Sequence, residues 1–271
     1  MINFQPDFSF INLNKPAGMT SFDCIRRLRR ILAIKKIGHL GTLDPPATGV
    51  LPAAIGKSTR LIPYLEKSSK VYRASIILGI TTTTDDTEGE ILTKQETAPF
   101  DLALIRQHLD SFTGEIMQTP PAVSAVKIDG RRAYDIAFKG GTPDIKPRKA
   151  FIKSITITAY QHPRLYLTLE VGPGTYIRSI ARDLGHLLEC GGAVDTLERT
   201  KDGAFLLENS VTFEQIEEAA AQKVFRKIMI PAVEVMTDYP IIKITGINQE
   251  TVKQGNLVRI VDLPLEGRLP D

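Results

Sequence analysis

The stretch from residue 165 to residue 189 changes its hydrophobic period partway along, and this change constrains the fold more than any other feature of the sequence. Apolar residues first recur at every second position, as in a half-buried β-strand, at Leu165, Leu167, Leu169 and Val171. The tripeptide Gly172-Pro173-Gly174 then predicts a turn. Beyond the turn the apolar spacing becomes helical, at Ile177, Ile180, Ala181, Leu184 and Leu187. The sequence therefore predicts a strand, a turn and a helix in direct succession.

Similar patterns elsewhere predict further strands and helices in an irregular order. Strand patterns occupy residues 9–14, 71–79 and 151–160. Helix patterns occupy residues 101–112 and two stretches that open with helix-capping sequences, at 20–23 and 212–215. Because strands and helices do not alternate regularly, the order favours an α+β fold with a mixed sheet.

The length and the apolar runs set the broad class of the protein. A chain of 271 residues is long enough for one large domain with a small appendage. No run approaches the ~18–20 apolar residues of a membrane span, and residues 1–14 lack the charged-then-apolar pattern of a signal peptide. We therefore expect a cytoplasmic protein with no membrane association. The two cysteines, Cys24 and Cys190, have no Cys or His neighbour at metal-ligand spacing, so we expect ordinary thiols.

Charge is distributed unevenly along the chain, although the net charge is only +3. Residues 15–73 carry twelve Lys and Arg against three Asp and Glu, and residues 127–153 carry eight against three. Between them, residues 81–119 carry two basic residues against eight acidic ones. Two basic regions separated by an acidic one are typical of a surface that binds a polyanion. Ordinary solvated helix and loop exteriors explain the same counts about equally well.

The short motifs of nucleotide and metal binding are incomplete. Residues 56–59 (GKST) resemble the end of a phosphate-binding loop, but Leu51 stands where that loop requires its first glycine. Residues 85–89 are similar to part of a calcium loop, yet Thr84 and Gln95 occupy its first and last ligand positions. The four histidines show no zinc-site spacing. The sequence therefore predicts neither a metal nor a cofactor.

Two short segments remain as candidates for chemistry. His39 and Asp44 lie in a Gly/Pro-rich loop, and Tyr176 and Arg178 follow the glycine turn. Taken singly, an Asp before Pro is more often a turn residue, and an Arg near a helix start is more often a surface charge. Together, an arginine would keep a nucleophilic carboxylate ionised, and a tyrosine would offer a flat face for a base. Only the fold decides whether these residues meet.

A series of motifs resembles the signature of the bacterial tRNA pseudouridine-55 synthases, the TruB family of pseudouridine synthases. The longest is GHLGTLDPPATGVLP at residues 38–52. The others, in the family's order and spacing, are NKPAG (14–18), KVYR (70–73), QTPP (118–121), SAVK (124–127), GTYIR (174–178), CGGA (190–193) and LERT (197–200). The resemblance covers about residues 11–205.

This resemblance implies a fold and a set of site residues. The implied fold is the pseudouridine synthase α+β domain, with a central, mixed, largely antiparallel sheet. Asp44 matches the nucleophile, Arg178 the arginine that pairs with it, and Tyr72 the tyrosine that stacks on the target base and helps to move its proton. The matching substrate-binding positions are Lys15, His39, Lys127, Tyr176 and Leu197.

The implied reaction converts uridine to pseudouridine at position 55 in the T-loop of tRNA. The base must be flipped out, leave the ribose through N1, rotate and rejoin it through C5. Asp44 either attacks the ribose, promotes a glycal intermediate or attacks the ring at C6, and the residues do not choose among these routes. The reaction needs no redox step and no energy input. We expect the T-arm of tRNA as the partner, no obligatory protein partner, and a monomer.

The resemblance also implies a division of the chain. We predict a catalytic domain over residues 1–235, with an RNA-clamping insertion at 119–148, and a shortened β-rich PUA-like segment at 236–271. The chain departs from the family's usual residues at Leu40, Pro46, Val123, Phe138 and Val194. The catalytic positions are intact, so we expect activity.

Two alternatives share this scaffold. A non-catalytic tRNA-folding module would not require Asp44, Tyr72 and Arg178, so their presence favours an enzyme. A synthase guided to another RNA by partner proteins is compatible with the shortened C-terminal segment.

Overall fold

The structure, a computed structural model, describes residues 8–124, 126–128, 130–137, 140–239, 250–252 and 254. Within this part of the chain the strands are β1 (Phe8–Lys15), β2 (Ile37–His39), β3 (Thr48–Gly56), β4 (Lys70–Leu78), β5 (Ile80–Thr82), β6 (Ile91–Lys94), β7 (Gly114–Gln118), β8 (Lys127–Ile128), β9 (Arg131–Arg132), β10 (Arg148–Gln161), β11 (Arg164–Val171), β12 (Gly192–Asp202), β13 (Phe205–Leu206) and β14 (Ile230–Pro231). The helices are α1 (Ser21–Leu32), α2 (Ile62–Leu65), α3 (Leu102–Asp110), α4 (Ala133–Ala137), α5 (Ile177–Leu187), α6 (Phe213–Ala221) and α7 (Ala232–Val235).

One large sheet organises the described residues. Its strand order is β14-β1-β3-β12-β4-β11-β10-β7, with β2 beside β3 and β13 beside β12. The pairing of β12 with β3 is parallel, and the other pairings of this sheet are antiparallel. The predicted α+β fold with a central, mixed, largely antiparallel sheet is confirmed.

The main core lies between this sheet and four helices. The alternating leucines of β11 are buried, and the apolar stripes of α1, α3, α5 and α6 join them in one cluster. Burying one such side chain contributes about 1.5–3 kcal/mol. The predicted capping boxes begin α1 and α6: Thr20 accepts from the backbone of Asp23, and Thr212 accepts from the backbone of Gln215. Local capping and one-sided apolar spacing therefore place these helices against the sheet.

Strand β12 is one of the strands that sequence patterning did not predict, although it lies between β3 and β4 in the middle of the sheet. Its sequence, GAVDTLERTKD, carries many polar and charged residues. Arg199 and Asp202 are nonetheless buried and lie 3.5 Å apart, and Asp202 also lies 3.2 Å from Lys70 of β4. Paired charges occupy positions that apolar residues take in an ordinary central strand, so the strand pattern is concealed.

The predicted RNA-clamping insertion at residues 119–148, called the excursion below, is only partly described. It contains a two-stranded sheet of β8 and β9 followed by α4. Phe138, one of the departures from the family pattern, lies outside the described residues. Most of the predicted PUA-like segment at 236–271 also lies outside them, and the division at residue 235 remains a prediction. Among the residues that are described, no helix has the length and apolar character needed to cross a membrane.

Candidate active site

The loop that carries Asp44 runs between β2 and β3 and is tied down from two directions. Lys15, at the end of β1, is completely buried, and its Nζ donates to the carbonyls of Pro16, Pro45 and Ala47 at 3.0, 2.9 and 2.6 Å. The backbone N–H of Ala47 also donates to the carbonyl of Asp44 at 3.1 Å, closing a turn. These bonds hold the backbone on both sides of the carboxylate.

The second anchor of this loop is the start of α1. Ser21 Oγ donates to the carbonyl of Leu43 at 3.0 Å and accepts from the N–H of the same residue at 2.9 Å. Pro45 and Pro46 fix their own φ angles immediately after Asp44. Leu43 on one side of Asp44 and the two prolines on the other are therefore constrained, and this fixes the position of Asp44.

Arg178 brings the far end of the sequence to Asp44. It lies in the first turn of α5, and its Nε is 2.9 Å from Oδ2 of Asp44. Its side chain is 5% exposed, whereas that of Asp44 is 37% exposed. The two terminal guanidinium nitrogens donate to the carbonyls of Thr84 and Val123 at 2.8 and 2.9 Å. The arginine is thus fixed by the backbone, and the carboxylate retains access to solvent.

Asp86 is a site residue that the sequence did not single out. Its Oδ2 lies 3.7 Å from Nε of Arg178, so Arg178 sits between two carboxylates. Its Oδ1 accepts from Thr84 Oγ1 at 2.5 Å and from the N–H of Glu88 at 3.1 Å. The only sequence signal for it is a cluster of acidic residues whose pattern matches a calcium loop incompletely. Among the described residues, no group of three or more His, Cys, Asp or Glu side chains is arranged to hold a metal.

A cavity of about 280 Å³ opens beside Asp44. Five predicted site residues line it: Asp44, Tyr72, Tyr176, Arg178 and Leu197. The lining also includes residues that were not predicted as site residues, among them Lys70, Ser124 and Arg199. Gly41, Gly172 and Gly174 are also part of the lining. The cavity thus combines aromatic and aliphatic surface with a carboxylate and cations.

The tyrosines of this cavity are both held in place. Tyr72, on β4, is 7% exposed; burial raises the pKa of its hydroxyl, while the adjacent Arg199 acts in the opposite direction. Arg199 itself donates to the carbonyls of Val50 and Gly41 at 2.7 and 2.9 Å, linking the cavity wall to the Asp44 loop. The backbone of Tyr176 exchanges two hydrogen bonds with the side chain of Gln118, at 2.8 and 3.1 Å. Burial raises the pKa of Tyr176 as well.

The other three predicted substrate-binding residues lie outside the lining of this cavity, as far as the described residues define it. Lys15 lies beneath the Asp44 loop, where its ammonium group contacts backbone carbonyls. His39 ends β2, and its Nδ1 is buried without a hydrogen-bond partner among the described residues. Burial lowers the pKa of His39, and the charge of Arg199 lowers it further. Lys127 is exposed on β8, within the excursion.

Comparison with known proteins shows which family the chain resembles. Residues 29–177 match the model of the TruB family pseudouridylate synthase N-terminal domain, and residues 178–236 match that of the tRNA pseudouridylate synthase B C-terminal domain. The tRNA pseudouridine synthase B of Trichormus variabilis is 41% identical over 254 residues, which cover 93% of this chain and 86% of the relative. That of Gloeobacter violaceus is 47% identical over 212 residues, covering 77% and 72%.

Solved structures share the fold. A Cbf5-Nop10-Gar1 complex contains a chain with a TM-score of 0.73 and 28% identity, matched over 92% of this chain and 68% of that one. A chain of an H/ACA RNP bound to a substrate RNA containing 2'-deoxyuridine has a TM-score of 0.65 and 26% identity. That match covers 85% of this chain but less than two thirds, 61%, of the other. With family models matched from residue 29 to residue 236 and the Asp44–Arg178 pair in the expected loop and helix, the chain belongs to the TruB family of pseudouridylate synthases.

Proposed function

We propose that this chain converts uridine to pseudouridine in tRNA, at position 55 of the T-loop, with Asp44 as the nucleophile. The observation that carries the proposal is the 2.9 Å ion pair between Arg178 and Asp44 at the mouth of a cavity walled by two tyrosines. Relatives at 41% and 47% identity bear the name tRNA pseudouridine synthase B, which supports tRNA as the substrate.

The electrostatics of the pair suit a nucleophile. A carboxylate attacks or stabilises positive charge only when it is ionised, and an adjacent guanidinium favours that form. Because Arg178 is held by two backbone carbonyls, it does not swing away when substrate enters. Asp44 is the more exposed partner, and this exposure lets a nucleotide reach its free carboxylate edge.

The reaction exchanges one bond of the uracil for another. The N1–C1′ bond breaks, the base turns, the C5–C1′ bond forms, C5 loses its proton and N1 gains one. Asp44 acts on the ribose or on C6 of the ring, and both routes use the same carboxylate position. Tyr72, which is largely buried and lines the cavity, stacks on the base and takes part in the proton transfer at C5.

The cavity accepts a single base rather than a folded loop. Its volume of about 280 Å³ is near the lower end of ligand pockets, which span ~300–1,000 Å³. The target uridine must therefore be extruded from the T-loop, which costs a few kcal/mol that stacking on Tyr72 and Tyr176 offsets. Lys127 and the basic excursion contact the RNA backbone outside the cavity, so binding weakens as salt is raised.

The enzyme acts, in this proposal, as a monomer and without a protein partner. The test uses the purified chain and a tRNA transcript carrying 5-tritiated uridine, with wild type and Asp44→Asn compared at equal concentration. Wild type is expected to release about one equivalent of tritium per tRNA, and the variant none, while both bind the tRNA. Chemical mapping of the product then places pseudouridine at position 55.

Each other outcome contradicts a different part of the proposal. Release by both proteins would show that Asp44 is not the nucleophile. Product at another uridine would overturn the T-loop position. If neither protein releases tritium but both bind tRNA, the chain is a tRNA-folding module or requires guiding partners, and the stand-alone activity is wrong.

A further inference from the structure

Two consecutive carboxylates face two arginines that lie one helical turn apart on α5. Asp86 Oδ2 lies 3.7 Å from Nε of Arg178, and Asp85 Oδ2 lies 3.1 Å from a terminal nitrogen of Arg182. Residues four apart on a helix project from the same face. The turn after β5 therefore contacts α5 through two neighbouring ion pairs. Of their two arginines, only Arg178 also contacts Asp44.

Both arginines also hold the base of the excursion at residues 119–148. Arg178 donates to the carbonyl of Val123 at 2.9 Å, and Arg182 donates to the carbonyl of Thr119 at 2.8 Å. The hydroxyl of Ser179 donates to the same Thr119 carbonyl at 2.8 Å. One face of α5 thus joins three segments: the turn at 84–86, the base of the excursion, and the Asp44 loop.

The backbone of Asp85 is held in an unusual conformation. Its φ is +60°, a left-handed value that costs a non-glycine residue free energy unless its surroundings stabilise it. Its carbonyl accepts from the N–H of Val194 on β12 at 3.0 Å, and its side chain is only 16% exposed. Burial raises the pKa of Asp85, whereas Arg182 and then Arg178 act in the opposite direction. The pairing with Arg182 is therefore what favours the ionised carboxylate at this position.

We propose that Asp85 and Arg182 are positioning residues of the isomerisation, which hold the turn at 84–86 and the base of the excursion in register with α5. Neither residue lines the cavity, so neither contacts the base. They act through Arg178, because Thr84 and Val123, the two carbonyl partners of Arg178, belong to the segments that Asp85 and Arg182 fix. This inference rests on the proposed function.

The test compares Asp85→Asn, Arg182→Gln, Arg182→Lys and the double variant Asp85→Asn/Arg182→Gln under single-turnover conditions with tritiated tRNA. A small misplacement of catalytic groups costs up to about 100-fold in rate, and we expect each glutamine or asparagine variant to be about 10- to 100-fold slower with tRNA affinity within about threefold. Arg182→Lys keeps the charge opposite Asp85 and is expected to recover part of the rate. The double variant is expected to be no slower than its slower parent, because residues that act as one unit are not additive.

The matched control is Arg164→Gln. Arg164 forms an ion pair with Asp195 at 3.0 Å, and its side chain is half exposed on β11, outside the cavity lining. The control is expected to keep the wild-type rate. Single variants that all stay within threefold of wild type, or a control that slows equally, would overturn the positioning role.

Amide hydrogen exchange supplies a readout that does not depend on catalysis. In folded variant protein, loss of the Asp85–Arg182 pair is expected to accelerate exchange of the amides of Thr119, Ala122, Val123 and Ser124, with no change at the α1 amides. If wild type makes no pseudouridine, the proposed function fails, and exchange alone decides whether the pair holds the excursion. Unchanged exchange at these four amides in both Asp85→Asn and Arg182→Gln would then show that the pair does not hold the base of the excursion either.

Discussion

Arg178 lies 2.9 Å from Asp44 through its Nε, while its other two nitrogens are bound to backbone carbonyls. The position of the arginine is consequently set by the fold, and only the carboxylate is free to respond to substrate. A guanidinium fixed in advance costs no reorganisation when charge develops during the reaction. The residues that hold Arg178 are therefore expected to affect the chemical step more than tRNA binding.

Asp86→Asn is the most direct test of that expectation. The substitution removes the second carboxylate, 3.7 Å from Nε of Arg178, and leaves a side chain of the same shape. Without the second carboxylate, the positive charge of Arg178 is compensated by Asp44 alone, which stabilises that carboxylate more strongly and lowers its nucleophilicity. We therefore expect kcat to fall about 10-fold or more with KM within about threefold. Steady-state kinetics with tRNA would check this split. A rise in KM at unchanged kcat would place Asp86 in substrate binding instead.

The positions of the candidate catalytic residues along the chain were predictable from motifs, and the fold brings them together. The Gly/Pro-rich loop with Asp44 and the helix start with Arg178 do form one cavity with Tyr72. Their roles in catalysis remain predictions. Local patterns predicted the loop and the helix start because nearby turn residues and apolar spacing define each of them.

The buried charges were not predictable from the same patterns. Lys70, Arg199 and Asp202 interact across β4 and β12, and their burial depends on a strand register that local sequence does not encode. A burial argument applied to single residues assigns each of them to the surface. Only the pairing of distant strands shows that their charges compensate each other inside the sheet.

Lys15→Met tests the anchor of the Asp44 loop. The buried ammonium donates to three carbonyls, and methionine fills much of the same space without a donor. Leaving buried acceptors without a charged donor costs roughly 1.5–3 kcal/mol, so the free energy of unfolding should fall by about that amount. Urea denaturation measures this change.

The control is Lys153→Met, at a lysine that is largely exposed. It is expected to change the free energy of unfolding by less than about 0.5 kcal/mol. Equal losses in both variants would reject the anchoring role of Lys15.

Burial of His39 is expected to make the free energy of unfolding rise with pH. Its pKa in the folded state is lowered from 6.5, first by burial and then by the charge of Arg199. The unfolded chain therefore binds a proton at higher pH than the folded chain does, and stability rises with pH between the two pKa values. The stabilisation is complete above pH 6.5 and is lost as pH falls from there through the folded-state pKa.

Replacing His39 by glutamine is expected to remove this part of the pH dependence. Urea unfolding of wild type between pH 7.5 and pH 5 should show a steeper loss of stability than unfolding of His39→Gln. The exposed His186→Gln is the matched change of residue type. If the His39 variant retains the wild-type slope, or if both variants flatten it equally, burial of His39 is not its cause.

Gly49→Ala tests the close approach of β3 to β12. The φ of Gly49 is +97°, and an added Cβ would lie 2.3 Å from the carbonyl oxygen of Arg199, its partner in the parallel pairing. Gly114 has a similar φ of +94° and no atom within 4 Å of an added Cβ, so Gly114→Ala carries the backbone strain alone. That strain is about 1–2 kcal/mol, and the overlap at Gly49 adds a further ~1–3 kcal/mol or more.

The clash at Gly49 also affects the Asp44 loop. The carbonyl that is struck belongs to Arg199, whose side chain donates to the carbonyls of Gly41 and Val50, so a shift of Arg199 displaces this loop. Gly49→Ala should therefore lose both stability in urea and isomerase activity, whereas Gly114→Ala should lose stability only. Equal losses of stability and activity in the two variants would show that the contact between Gly49 and Arg199 adds nothing to the backbone strain.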